Sequence, residues 1–269
     1  VTPPQYLDTL GIGAATAELP EQITETLITT AELLAETNLP PGASVRSVGM
    51  VGMGASGLAG DAAQAYAFSR ASLPVWVSHG YEVPEFVGPG SLVFAASWSG
   101  QTEETLSAAT AAVERGATVV VITGGGALAD VAGSAGLTRF SVPAGLPAAR
   151  TALGAMVIPI LMTLSHLEIL PDATPSLRAA STALSRRRDA LVAAPGPAEE
   201  VARGIGRTIP LIYGSSGLGA IAARRWKSQI NVNAKTPAFV AVAPELSHNE
   251  VAGWGQHGDM TRQVLTLVT

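Results

Sequence analysis

The chain has 269 residues, of which 47% are hydrophobic and 14% charged, and a formal net charge of -5. That composition supports one large buried core or two smaller ones, and an acidic balance without a lysine or arginine cluster argues against nucleic acid, whose binding needs a basic stripe. No cysteine is present, so disulfides, thiolate nucleophiles and sulfur-ligated metals are excluded and any chemistry falls to oxygen and nitrogen.

Residues 1–40 carry two helical patterns, one over 21–37, where Ile23, Leu27, Leu33 and Leu34 recur near helical spacing and predict a leading helix packed outside a sheet. From residue 45 onward short β-rich runs alternate with helical ones. Strands are expected over 45–51, 75–78, 92–96, 119–122 and 139–142, and helices over 58–70 and 102–115. Such alternation predicts a parallel sheet with helices on both faces. Two further helical stretches, 150–168 and 176–193, end at the breaker Ala194-Pro195-Gly196-Pro197, a domain boundary by its composition. A second, shorter sheet is expected from strand 209–213, helix 218–230, strand 238–243 and the run 264–268.

The expected fold class is therefore α/β, with two subdomains, each a parallel sheet flanked by helices in a flavodoxin- or Rossmann-like three-layer sandwich. The expected organisation is a helical segment 1–40, a first domain 41–149, connecting helices 150–195 and a second domain 196–269 that stops short at its C-terminus. The start at Val1 and the stop inside 264–268 suggest that both ends are trimmed. No uninterrupted apolar run reaches about 18 residues, and no basic, apolar leader opens the chain, which predicts a soluble cytoplasmic protein without a membrane partner. The run Arg186-Arg187-Arg188 reads as a solvated helix face.

Two stretches 160 positions apart are nearly the same: Gly54-Ala55-Ser56-Gly57-Leu58 and Gly214-Ser215-Ser216-Gly217-Leu218. Each follows a strand-like run and precedes an alanine-rich helical one, the mark of an internal repeat of strand, turn and helix. A serine between glycines at a helix start presents a hydroxyl and unsatisfied N–H groups to a phosphate. Gly52, Gly54 and Gly57 also spell G-x-G-x-x-G after a strand. A dinucleotide site needs an acidic residue at the end of the next strand; that strand ends in Ser78-His79-Gly80, with no carboxylate before Glu82, so no such cofactor is expected.

A second candidate is Ser97-Trp98-Ser99-Gly100-Gln101-Thr102-Glu103-Glu104-Thr105, at the end of a buried strand and the start of a helix. The hydroxyls of Ser97, Ser99 and Thr102 and the backbone donors around Gly100 are expected to converge outside the carboxyl end of the sheet, where open α/β sheets bind ligands. A plain N-cap by Ser99 or Thr102, with Glu103 and Glu104 complementing the helix dipole, accounts for part of the pattern, but three hydroxyls exceed what one cap requires.

The pair G-x-G-x-S-G and S-x-S-G-x-T-x-E-T resembles the sugar isomerase (SIS) domain, a phosphosugar-binding fold. The segments Arg225-Trp226-Lys227-Ser228-Gln229-Ile230-Asn231-Val232-Asn233-Ala234-Lys235-Thr236-Pro237-Ala238 and Pro244-Glu245-Leu246-Ser247-His248-Asn249-Glu250 are similar to the bifunctional phosphoglucose/phosphomannose isomerases. The resemblance implies that Gly54, Ser56, Ser97, Ser99, Gly100 and Thr102 hold the phosphate of a sugar 6-phosphate, and that Arg150 stabilises an enediolate. It implies that His248 opens the sugar ring from the partner subunit of a homodimer. The implied reaction is metal-independent and cofactor-free interconversion of glucose and mannose 6-phosphates with fructose 6-phosphate; His79, His166, His248 and His257 show no dense metal-ligand spacing.

One position departs from the family. Where it has a glutamate base in N-E-N, this chain has Val232, which has no proton to exchange. A positioned general base is worth about 10²- to 10⁴-fold, or roughly 3 to 5 kcal/mol of barrier. Glu245 or Glu250 then serves instead, or the chain is an impaired phosphosugar-binding sensor or regulator; an amino-sugar isomerase or deaminase is a third reading. The family also draws a lysine from a C-terminal part, which here would lie beyond Thr269.

Overall fold

Five short runs, four of them carrying valine, assemble into one parallel sheet in the computed structural model, which describes residues 8–192, 196–255 and 264–268. The strands are β1 (Ser47–Gly52), β2 (Val75–Ser78), β3 (Ser91–Ser97), β4 (Thr118–Thr123) and β5 (Thr138–Ser141), in the order β2-β1-β3-β4-β5. Every neighbouring pair is parallel, and the register sets Gly52 opposite Ala96 and Ser97 opposite Thr123. Strands β1 and β3 are buried along their whole length, as continuous apolar runs covered on both faces must be.

The helices around this sheet are α1 (Ile12–Ala17), α2 (Leu19–Glu36), α3 (Gly54–Ala67), α4 (Glu103–Glu114), α5 (Gly126–Ser134), α6 (Leu153–His166) and α7 (Thr174–Val192). Side chains alternate along each strand. Met50, Phe94 and Ile122 therefore pack on Ala59 and Ala63 of α3 and on Met156 and Ile160 of α6. Val51, Val93 and Val121 point the other way, onto Ala108 and Ala112 of α4 and Leu128 of α5. The alanines let α3 and α4 lie close to the strands; truncating fully buried Phe94 to alanine would cost about 3–5 kcal/mol. Helix α2 lies over α6 through Ile23, Leu27 and Ile158, outside the sheet as its periodicity predicts.

The chain divides into two units, Val1–Ser185 and Arg186–Thr269. In the second, β6 (Ile209–Ser215), β7 (Phe239–Ala243) and β8 (Leu265–Val268) form a parallel sheet ordered β7-β6-β8, with helices α8 (Pro197–Ile205) and α9 (Leu218–Gln229). Helix α9 continues into a single π turn, Ile230–Ala234. Of the expected boundary, residues 194–195 lie outside the described residues, as do 1–7 of the expected leading segment.

Three local expectations change. Pro197, part of the expected breaker, opens α8 at a first-turn position where its missing N–H costs nothing. Helix α5 was not anticipated because nine residues behind three glycines are too short to show a period. Helix α3 starts at Gly54 rather than near residue 58, so the glycine-serine segment is its first turn. The second copy of the repeat differs: β6 runs through Ser215, Gly217 takes a positive φ of 69°, and α9 starts only at Leu218.

Candidate functional site

The strand order creates a switch point between β1 and β3: the chain leaves β1 to one face through α3 and leaves β3 to the other through α4. Open sheets of this order bind ligands in the crevice outside those carboxyl ends. Two loops border it. In the first, Gly52 and Gly57 have no room for side chains, since a Cβ on Gly52 would lie 2.9 Å from the Ala96 carbonyl oxygen and one on Gly57 would lie 2.4 Å from that of Gly52. Ser56 is buried in the first turn of α3, and its Oγ accepts a 3.2 Å hydrogen bond from the Trp98 N–H, which ties the first loop to the second. Gly54 has a positive φ of 54° and open space where a Cβ would stand.

The second loop runs from Ser97 to Thr102. Ser97 is almost wholly buried; its Oγ accepts from the Gly100 N–H at 3.1 Å and lies 2.9 Å from the Thr102 hydroxyl in a shared hydrogen bond. Ser99 is exposed on the lip, its Oγ accepting from the Gln101 N–H at 3.2 Å. Thr102 occupies the N-cap position of α4, yet its side chain makes no capping bond. The hydroxyl is turned to Ser97 instead, so capping alone does not explain it. The loop is held from behind by the β4–α5 connection, where the Gly124 N–H donates to the Trp98 carbonyl at 3.1 Å and the Leu128 N–H to the Gly100 carbonyl at 3.0 Å. Six of the expected residues, Gly54, Ser56, Ser97, Ser99, Gly100 and Thr102, thus lie in two neighbouring segments at the carboxyl ends of β1 and β3.

Arg150 belongs to the same unit. It sits, half-buried, in the 3₁₀ turn Ala149–Thr151, which packs against α3. That turn is fastened by a residue that periodicity marked only as part of a helix. Gln22, buried on α2, donates from Nε2 to the Thr151 carbonyl at 2.9 Å and accepts on Oε1 from the Ala155 N–H at 3.0 Å. A second unanticipated pair lies at the end of β2. His79 Nδ1 is 2.9 Å from the Gly52 carbonyl oxygen and Nε2 is 3.0 Å from Asp61 Oδ1 on α3. Where a dinucleotide site would need a carboxylate, the chain has this imidazole.

The remaining expected residues are in the second unit. Val232 lies on the π turn that extends α9, 42% exposed, and single π turns recur at functional sites. Asn231 beside it donates from Nδ2 to the Thr236 carbonyl at 2.8 Å, and Asn233 donates to Gln229 Oε1 at 2.7 Å. His248 is exposed on the 3₁₀ turn Glu245–His248 that follows β7. Of the two nearby carboxylates, Glu245 accepts from Asn249 Nδ2 at 3.2 Å, and Glu250 accepts from the Tyr213 hydroxyl at 2.9 Å, whose oxygen in turn receives Trp254 Nε1–H at 3.0 Å. Burial pushes the Tyr213 phenol above its ordinary value; the Trp254 bond opposes the rise and Glu250 adds to it. Among the described residues no three His, Asp or Glu side chains gather as metal ligands, and no helix is long and apolar enough to cross a membrane; His257 lies outside them.

The SIS domain family matches residues 43–134, the part that carries the crevice, and the bacterial phospho-glucose isomerase C-terminal SIS domain family matches residues 195–268. Fold and site thus define a SIS-domain protein with two such domains. The chain is 34% identical over 213 residues to a bifunctional phosphoglucose/phosphomannose isomerase of Caldicellulosiruptor bescii, covering 78% of this chain and 62% of that one. It is 38% identical over 205 residues to the protein of the same name from Aquifex aeolicus, covering 76% and 60%. By this relationship it is similar to the bifunctional phosphoglucose/phosphomannose isomerases. The chain spans about three fifths of the length of these relatives. The C-terminal domain of glucosamine-fructose-6-phosphate aminotransferase from Francisella tularensis shares the fold at a TM-score of 0.68 and 18% identity, over 94% of this chain and 73% of that one.

Proposed function

We propose that this chain binds a sugar 6-phosphate in the β1/β3 crevice and interconverts glucose and mannose 6-phosphates with fructose 6-phosphate. The observation that carries the reading is the switch-point crevice of hydroxyls and amides, in a chain related to isomerases of that name. Ser56, Ser99 and Thr102 would grip the phosphate beside the backbone of Gly54 and Gly100, and Ser97 would hold the loop in shape by accepting the Gly100 N–H and contribute its hydroxyl. The dianion so held supplies binding energy remote from the reacting carbons.

His248 would assist ring opening in the neighbouring copy of a homodimer; its exposure on an outer turn supports that assignment. Arg150 would hold the charge that develops on the enediolate oxygens. A planar enediolate keeps no memory of the C2 configuration, so both epimers share one site. The reaction is proposed to need no metal or organic cofactor and to take place in the cytoplasm. Purified protein mixed with fructose 6-phosphate should form both aldose 6-phosphates at a rate that chelator does not change. Absence of turnover in protein that still binds the sugar would refute the catalytic part.

One observation favours a second reading. Val232 stands where the family base belongs, and the nearest carboxylates in sequence, Glu245 and Glu250, already accept hydrogen bonds from Asn249 and Tyr213. A phosphosugar-binding sensor or regulator that no longer moves a proton fits that site. Val232→Glu separates the two: a rate gain of about 10²-fold or more marks a disabled enzyme, whereas an unchanged, already substantial rate means that another base works.

A further inference from the structure

His79 bridges two groups that only accept. The Gly52 carbonyl oxygen and Asp61 Oδ1 lie 2.9 and 3.0 Å from its two ring nitrogens, and neither a carbonyl nor an ionised carboxylate can donate. A neutral imidazole carries one N–H and would turn a lone pair towards one of these oxygens. Beside an ionised carboxylate, both bonds form together only when each ring nitrogen carries a hydrogen and donates. The ring is partly exposed but lies beside Gly57, where a Cβ would lie 2.6 Å from Nδ1, and its partner Asp61 is buried. Asp61 on α3 and the Gly52 carbonyl on β1 are the charged and polar groups that hold the ring from the elements beside it.

The placement matters because Gly52 is the last residue of β1 and the hinge of the first loop. A trans peptide sets its C=O and the next N–H in opposite directions. With the Gly52 carbonyl held by His79, which follows β2, the Met53 N–H of the same peptide points to the opposite side of the strand. We propose that His79 is a positioning residue of the anion crevice: as an imidazolium paired with Asp61 it fixes the peptide that opens the glycine turn and sets a positive charge behind a site otherwise built of neutral donors. This rests on the reading that the crevice takes a sugar phosphate. It also gives the end of β2 a role opposite to that of the dinucleotide folds: a cation for a phosphate instead of an anion for ribose hydroxyls.

Two measurements test it. Nitrogen-15 NMR of the imidazole in the ligand-free protein at pH 7 should find both His79 nitrogens protonated; one protonated nitrogen overturns the proposal whatever the crevice binds. In calorimetric titration with fructose 6-phosphate, His79→Ala and His79→Gln should bind about tenfold more weakly, and His79→Arg, which restores both donors and the charge, should return to within about twofold of the parent chain. Thermal unfolding checks that the variants are folded; should the alanine variant not fold, equal affinities of the glutamine and arginine variants would still overturn the role. A parent chain that binds fructose 6-phosphate while all three variants match it refutes the role of His79 alone. No binding by the parent chain refutes the crevice reading beneath it.

Discussion

Gly100→Ala tests the crevice at its tightest point. Gly100 has a φ of 67°, a left-handed conformation that costs a residue with a Cβ roughly 1–2 kcal/mol. The added methyl would also stand 1.7 Å from the Gly125 carbonyl oxygen, 2.7 Å from its carbon and 2.9 Å from Thr123 Oγ1. The backbone must move to relieve that overlap, and forcing atoms into a packed site costs typically about 1–3 kcal/mol more. The movement has structural consequences, since Gly125 O accepts from Thr123 Oγ1 and Gly100 O accepts from the Leu128 N–H. The expected destabilisation is about 2–5 kcal/mol, a large share of the total for a domain. Gly54→Ala separates the two contributions: its φ is 54° with nothing within 4 Å of the new methyl, so only the strain of roughly 1–2 kcal/mol remains. Gly145→Ala, with open space and no positive φ, is the blank. Chemical unfolding would rank the three, and calorimetry with fructose 6-phosphate would report on the loop, with binding lost in Gly100→Ala. A Gly100→Ala protein as stable as Gly145→Ala and binding like the parent would refute the reasoning.

Thr102→Ala should change stability by less than about 1 kcal/mol, because its hydroxyl does not cap α4, but should weaken fructose 6-phosphate binding at least about fivefold; calorimetry and thermal unfolding on the same sample distinguish a ligand from a cap. Gln22→Ala should destabilise the first unit by about 2–4 kcal/mol in denaturant titration, since it strands the Thr151 carbonyl and the Ala155 N–H in a buried setting beside Arg150. For Tyr213 the folded state holds the phenolic proton more tightly than the unfolded chain, so its contribution is present below about pH 10 and is lost as pH rises through the raised folded value. Tyr213→Phe should remove that alkaline loss, read from the tryptophan fluorescence of the unfolding transition across pH 8 to about 12.

Strands β1 and β3 were legible because each is a short, mostly apolar run bounded by serine or glycine and too short for a helix, and parallel pairing follows from the helices between the strands. The serine loop was legible for a related reason: a burst of hydroxyls after a buried strand is a local pattern. Helix α5 and the true start of α3 were not, since glycine-rich first turns carry no helical signal of their own and form only where a neighbouring loop accepts them, as the Leu128 N–H does with the Gly100 carbonyl.

What the residues determine by themselves is the alternation of apolar strands and amphipathic helices, the oxygen and nitrogen chemistry left by the lack of cysteine, and the valine at position 232, because these depend only on which side chains follow one another. What tertiary structure alone decided is which polar groups meet: Gln22 with residues 151 and 155, Ser56 with Trp98, His79 with Gly52 and Asp61. Those partners are as much as 133 positions apart, and hydrogen bonds act over about 3 Å of space, so packing of the sheet, not order along the chain, selects them.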